Sequence, residues 1–141
     1  MTTPYCEDED LYLAFGEANV RKWGDVDNTD SAESIDARLL WARESATEWI
    51  DDRLRNGPYE IPFTAGSGEE LPRSIVRMTA YLTGSILYEA RGLIDMGDDK
   101  ENSLRWAEKK VESWCRDIIA RRIRLDLELV TTDYPFVVED E

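Results

Sequence analysis

Carboxylates are the side chains of this sequence best equipped for chemistry. There are 31 Asp and Glu, several of them adjacent, as in Asp51-Asp52, Glu69-Glu70 and Asp98-Asp99. Paired acids catalyse proton transfer or hold a metal only when a base, a nucleophile and an orienting group converge on them. The chain contains no His, which removes the commonest general base and the commonest transition-metal ligand together. Cys6 and Cys115 form no Cys-x-x-Cys pair, so neither a zinc site nor a disulfide framework is indicated. The run Asp25-Val26-Asp27-Asn28-Thr29-Asp30 starts like a calcium loop, with Asp36 at the twelfth position. Asp30 replaces the glycine that such a loop needs at its sixth position, and the last ligand is not a bidentate Glu. Gly66-Ser67-Gly68 follows no strand and opens no phosphate-binding helix, so it reads as a flexible loop tip. No catalytic set can be assembled. The expectation is a non-enzyme that takes no cofactor and no metal.

The charge balance narrows the partners. With 17 Lys and Arg the formal net charge is −14, and the pI is near 4.4. A domain that wraps nucleic acid needs a basic field to displace counterions from phosphates, and this surface would repel DNA. Only four of the basic residues are Lys, and an acidic, Arg-over-Lys composition resembles proteins of a high-salt cytoplasm. The 141 residues suit one domain, and 42 % hydrophobic residues supply a core. The longest run without a charge, Met78 to Tyr88, is eleven residues, too short to cross a bilayer. No basic-then-apolar leader precedes it, so a soluble, cytosolic, membrane-free protein is expected.

These side chains are positioned by helices. Glu7 to Phe15 begins with acids that suit the helix dipole and stops at Gly16. Residues 16–30 read as a polar connection with room for one turn around Asn19 to Trp23. Ser31 is a good N-cap, and Ile35, Leu39, Ala42, Ala46, Trp49, Ile50 and Leu54 recur at helical steps until Asn56-Gly57-Pro58. Residues 57–71 form a loop whose centre, Tyr59 to Phe63, is extended. Pro72 opens a third helix with Ile75, Thr79, Leu82, Ile86, Ala90 and Leu93 inward, ending near Gly97. A fourth runs from about Asp98 to Ile123, with Leu104, Ala107, Val111, Trp114, Cys115 and Ile118 inward. Each long helix would span roughly 37–39 Å, which forces them side by side. The fold expected is all-α: a small antiparallel bundle of one short and three long helices over residues 1–123.

From Arg124 the pattern changes. Leu125, Leu127 and Leu129 alternate with acids, and Tyr134-Pro-Phe136-Val137-Val138 precedes three terminal acids. Period-two alternation indicates an extended arm over 124–141, either wrapped on its own bundle or offered to a partner as an added strand.

The outward wheel positions are those the core does not require. They are Trp41, Glu44, Glu48 and Asp51 on the second helix, Arg77, Tyr81, Gly84, Tyr88 and Arg91 on the third, and Arg105, Trp106, Lys109 and Arg116 on the fourth. Residues 105–124 carry a local +4, leaving −18 on the remainder. Outward aromatics make a poor solvent surface and a good interface. An acidic stripe on one helix and a basic stripe on another suit head-to-tail contacts, which close into a ring when the rotation permits.

The order of landmarks resembles the Mu-like family of head–tail adaptor (head completion) proteins of tailed viruses. The resemblance rests on Tyr5-Cys-Glu-Asp-Glu-Asp10-Leu11 followed by Phe15-Gly16-Glu17, on Ala42, Ser45-Ala46, Ile50-Asp51 and Leu54, on Leu71-Pro72, Ile75, Ala80-Tyr81 and Leu87-Tyr88, and on Leu104-Arg105-Trp106. It covers residues 5 to 123; the arm from Arg124 onward has no counterpart. It implies a non-enzymatic ring, usually of twelve subunits, in the virion neck and assembled in the host cytoplasm. Such a ring binds the portal protein, extends the DNA channel and receives a stopper or tail-completion protein, while DNA passes without specific binding. On that footing Trp41, Glu44, Glu48, Asp51, Tyr81, Tyr88, Arg105, Trp106, Lys109 and Arg116 are candidate subunit contacts. Leu125, Leu127, Leu129, Tyr134, Phe136 and Val137 are candidates for docking on the portal or a neighbour. Tyr59, Ile61 and Phe63 are candidate loop contacts to the stopper or lumen. The composition suggests a halophilic host. Two other readings stay open: an acidic helical inhibitor that mimics DNA, and a metal-dependent hydrolase using clustered acids.

Overall fold

The computed structural model describes residues 2–66, 68–91, 104–127 and 129. Five helices follow one another in this part of the chain: α1 (Asp8–Phe15), α2 (Glu17–Gly24), α3 (Ala32–Leu54), α4 (Arg73–Ala90) and α5 (Arg105–Ile119). The fold is an all-α bundle, with α4 packed against each of the other four helices. That position explains the uncharged run Met78 to Tyr88. Every residue of that run is buried or half-buried, so it offers little solvated surface on which a charge could sit at low cost.

Local sequence sets most of the helix ends. In α1, Glu7 and Asp10 form a reciprocal capping box, and three acids fill the first turn. Gly16 ends α1 and begins α2 with φ 92°, a conformation that only glycine adopts without strain. The Ser31 hydroxyl caps α3 by accepting the Ser34 N–H at 3.2 Å.

Several expectations are corrected. The connection after Gly16 holds a full eight-residue helix rather than a single turn. Only α3, about 35 Å long, has the length expected of the long helices; α4 and α5 run to 18 and 15 residues. The expected ends near Gly97 and Asp98 lie outside the described residues, as does Ser67 in the expected loop tip. The last helix stops at Ile119, short of Ile123. There Arg121, at φ 63°, takes the left-handed position, with Arg121 N–H on the Ile118 carbonyl and Arg122 N–H on the Asp117 carbonyl. An arginine thus fills the place at which glycine usually signals a helix end.

The core has two lobes along α3 and α4. One gathers Leu11, Val20, Ile35, Leu39, Ala42, Ala80 and Leu87 from α1 to α4. The other gathers Ala46, Ile50, Leu54, Ile75, Leu82, Val111, Trp114 and Ile118, closed by Tyr5, Tyr59, Phe63 and Leu125 from segments without regular structure. Each fully buried Leu or Ile stabilises the fold by about 1.5–3 kcal/mol.

A candidate subunit interface

On α3 the acidic stripe divides. Trp41 is 45 % exposed, with the Arg38 guanidinium 5.7 Å from its ring centroid. Glu44 is half-buried and Glu48 exposed, where it accepts the Thr2 hydroxyl at 2.7 Å. Asp51 does not face solvent as expected. The N-terminal segment folds back along α3, with the Tyr5 N–H donating to Thr47 and the Tyr5 hydroxyl donating to Asp51 Oδ1 at 2.5 Å. The same hydroxyl accepts the Phe63 N–H at 2.8 Å. One phenol therefore joins the N-terminal segment, α3 and the 59–65 loop. Burial raises the Asp51 carboxyl above its ordinary value, against the opposing effects of Tyr5 and Arg55. Burial and Asp51 together push the Tyr5 phenol well above its usual range.

On α4 the outward tyrosines belong to an internal aromatic chain. Tyr88 meets Trp23 of α2 at 5.4 Å between centroids, and Trp23 meets Phe15 of α1 at 5.4 Å. Phe15 meets Tyr81 at 6.2 Å, and Tyr81 meets Trp106 of α5 at 5.5 Å. Gly84 is buried under Phe15, leaving no room for a methyl group between α1 and α4. Arg91 is also engaged, donating to the Lys22 and Asp25 carbonyls at 2.7 and 2.6 Å and to Asn28. The wheel placed these residues outward because it treated α4 as one-sided, whereas α1 and α2 cover its second side. Trp106 remains 48 % exposed at the end of the aromatic chain.

The basic stripe of α5 is as expected. Arg105, Lys109, Lys110 and Arg116 are all exposed. Among the described residues, Lys109, Lys110 and Arg116 join no ion pair.

The loop and arm residues turn inward. Tyr59 and Phe63, expected as loop contacts, are buried in the second lobe, and Ile61 packs against it. Leu125 is 4 % exposed, and Leu127 lies against the same lobe. The Tyr59 hydroxyl accepts the Leu125 N–H at 2.7 Å and donates to the Leu125 carbonyl at 3.3 Å. Leu129, 39 % exposed, forms one antiparallel bridge with Tyr59. The first residues of the arm are thus wrapped on their own bundle; Tyr134, Phe136 and Val137 lie outside the described residues.

The calcium-like loop uses its first acid internally. Asp25 accepts the N–H groups of Thr29 and Asp30 at 3.0 and 3.1 Å, a self-closed turn. Among the described residues no cluster of three or more potential metal ligands forms, and no helix is long and apolar enough to cross a membrane.

Leu13, Leu40 and Ile119 are exposed apolar residues that the sequence reading missed. Leu13 on α1 is 80 % exposed, and Leu40 beside Trp41 is 41 % exposed. Leu13 stands two positions from buried Leu11, on the opposite side of an eight-residue helix, so a helical wheel of α1 would have revealed it. It forms one lip of a groove of about 160 Å³ between α1 and α4, shared with Ala14, Val76, Ala80, Tyr81, Arg73 and Arg77.

No curated protein and no solved structure matches the chain. Residues 5–135, nearly its whole length, match the family described as bacteriophage Mu, Gp36, and the chain therefore belongs to that phage protein family.

Proposed function

We propose that this chain is a structural connector subunit of the head–tail junction of a tailed virion, acting as a ring beneath the portal rather than as an enzyme. The observation that carries the reading is the chain-long membership of a phage family in a bundle where opposed charges on different helices join no ion pair among the described residues. Glu44 and Glu48 stand on α3, and Lys109 and Arg116 on α5. Contacts between unlike helices of successive copies are head-to-tail, and rotation about an axis closes them into a ring. The net charge of −14 fits a channel through which DNA slides without adhering. The resemblance in the sequence adds the portal above, a stopper or tail-completion protein below, and twelve as the usual number of copies. The Arg-over-Lys acidic composition favours a halophilic host. Asp51, Tyr88, Tyr59, Phe63 and Leu125, being engaged in the subunit's own fold, would act by shaping the subunit.

Charge reversal tests the reading. Glu48→Lys should weaken assembly, and Lys109→Glu in the same chain should partly restore it. Particle masses measured with and without purified portal, across salt concentrations, report the outcome. A chain that stays monomeric and ignores the portal under every ionic condition contradicts the proposal.

A further inference from the structure

We propose that the groove between α1 and α4 is a socket for the Trp41 face of α3 on a second copy of this chain. The inference rests on the connector reading and names the surfaces that join its subunits.

The socket is apolar at its centre and basic at its rims. Leu13, with four-fifths of its surface exposed, stands over Val76 and Ala80, and Tyr81 links the groove to the half-exposed Trp106. A lone exposed leucine is unremarkable, but one continuous with a groove and an exposed tryptophan forms a patch. Arg73 and Arg77, both exposed, flank one end, and among the described residues neither joins an ion pair. Lys109 and Lys110 lie one turn beyond Trp106. Asp10 also lines the groove, but its carboxylate already accepts the Glu7 N–H at 2.8 Å in the α1 cap.

The face of α3 has the complementary pattern. Leu40 and Trp41 are side by side and exposed, with Ala37 one turn before and Glu44 and Glu48 in the turns after. Apolar centre then meets apolar centre, and acids meet the Arg and Lys rims. The groove volume of about 160 Å³ is on the order of cavities that accept a single aromatic ring. The open groove has room for part of the Trp41 indole, and Glu44 and Glu48 supply the charge that its basic rims favour, with Arg38 at 5.7 Å from the Trp41 ring centroid as the one cation beside the plug. Socket and plug sit on different helices, so the contact is head-to-tail and consistent with a closed ring.

Short-range cross-linking tests the pairing without removing its central residues. Ala14→Cys places a thiol on the socket and Ala37→Cys one beside the plug; both positions are exposed, and the native Cys6 and Cys115 are buried. An equimolar mixture treated with a short bismaleimide should give cross-linked dimers well above those from either variant alone. Leu13→Arg should weaken association by about tenfold or more without lowering the melting temperature, since Leu13 contributes little to its own core. If the chain assembles but the mixed cross-link stays at background, or Leu13→Arg and Trp41→Ala assemble like the parent, the socket is overturned and the connector reading stands. A chain that remains monomeric with and without portal overturns both.

Discussion

Tyr59 holds Leu125 by both of its backbone groups. The phenol accepts the N–H at 2.7 Å and donates to the carbonyl at 3.3 Å, while the leucine side chain enters the core. A residue from the expected loop contact and one from the expected docking arm thus satisfy each other. Tyr59→Phe leaves a buried N–H without a partner and should cost about 1–3 kcal/mol in urea unfolding. Amide exchange at Leu125 should quicken more than exchange in α3. An unchanged stability would show that the junction contributes nothing.

Truncation follows from the same contact. Ending the chain after Arg124 removes a buried leucine and both partners of Tyr59, whereas ending it after Leu129 keeps them. The shorter protein should be less stable than the longer by about 3 kcal/mol. Equal midpoints and slopes in denaturant would mean that the wrap is only a surface contact.

The extent of sequence legibility tracks how local each determinant is. The third helix could be read from Ser31 to Leu54 because its cap, its stripe and its stop lie within its own residues. The second could not. Val20 and Gly24 are its buried residues, and its far end is capped by Arg91, distant in sequence. The exposure of Lys109, Lys110 and Arg116 on α5 was legible because it follows from the spacing of that helix's own apolar stripe. Tyr81, Tyr88 and Asp51 were misplaced because periodicity marks the face with the most apolar residues and cannot show a second covering layer. For Asp51 that layer is Tyr5, an element without periodicity of its own.

Asp51 makes stability depend on pH in a definite direction. Burial raises its native pKa above the ordinary 3.8, so the folded state holds the proton more tightly than the unfolded chain does. Asp51 therefore adds to stability at acid pH. That contribution is lost as pH rises from about 3.8 through the raised native value. In unfolding experiments across this window, Asp51→Asn should gain on the parent as pH rises, and the difference should level off above it. Glu89, raised by burial and by Glu108, has the same sign and cancels in the comparison. A difference that is flat or slopes the other way would contradict the assignment.

The two thiols should be silent in the native state. Burial pushes Cys6 and Cys115 up to about 12, and the thiolate is the reactive form. A thiol-specific reagent at neutral pH should label neither until the protein opens, at a rate that rises with denaturant as unfolding does. Rapid labelling of either in native buffer would place it at the surface.

Gly84 sets how closely α1 can lie on α4. A methyl group there would overlap the Phe15 ring, and Phe15 links Trp23, Tyr81 and Trp106 in turn. Two effects of Gly84→Ala oppose each other. Alanine improves helix propensity by about 1 kcal/mol, while forcing a group into a filled contact costs about 1–3 kcal/mol. Overpacking should win in the parent, with a net loss of up to about 2 kcal/mol and a changed near-ultraviolet signal from the displaced aromatics. With Phe15→Ala already in place the obstruction is gone, and Gly84→Ala should then stabilise by up to about 1 kcal/mol. The reversal of sign is what identifies a direct contact, since independent sites would add. Equal effects of Gly84→Ala in the two backgrounds would mean that α1 is positioned by other contacts.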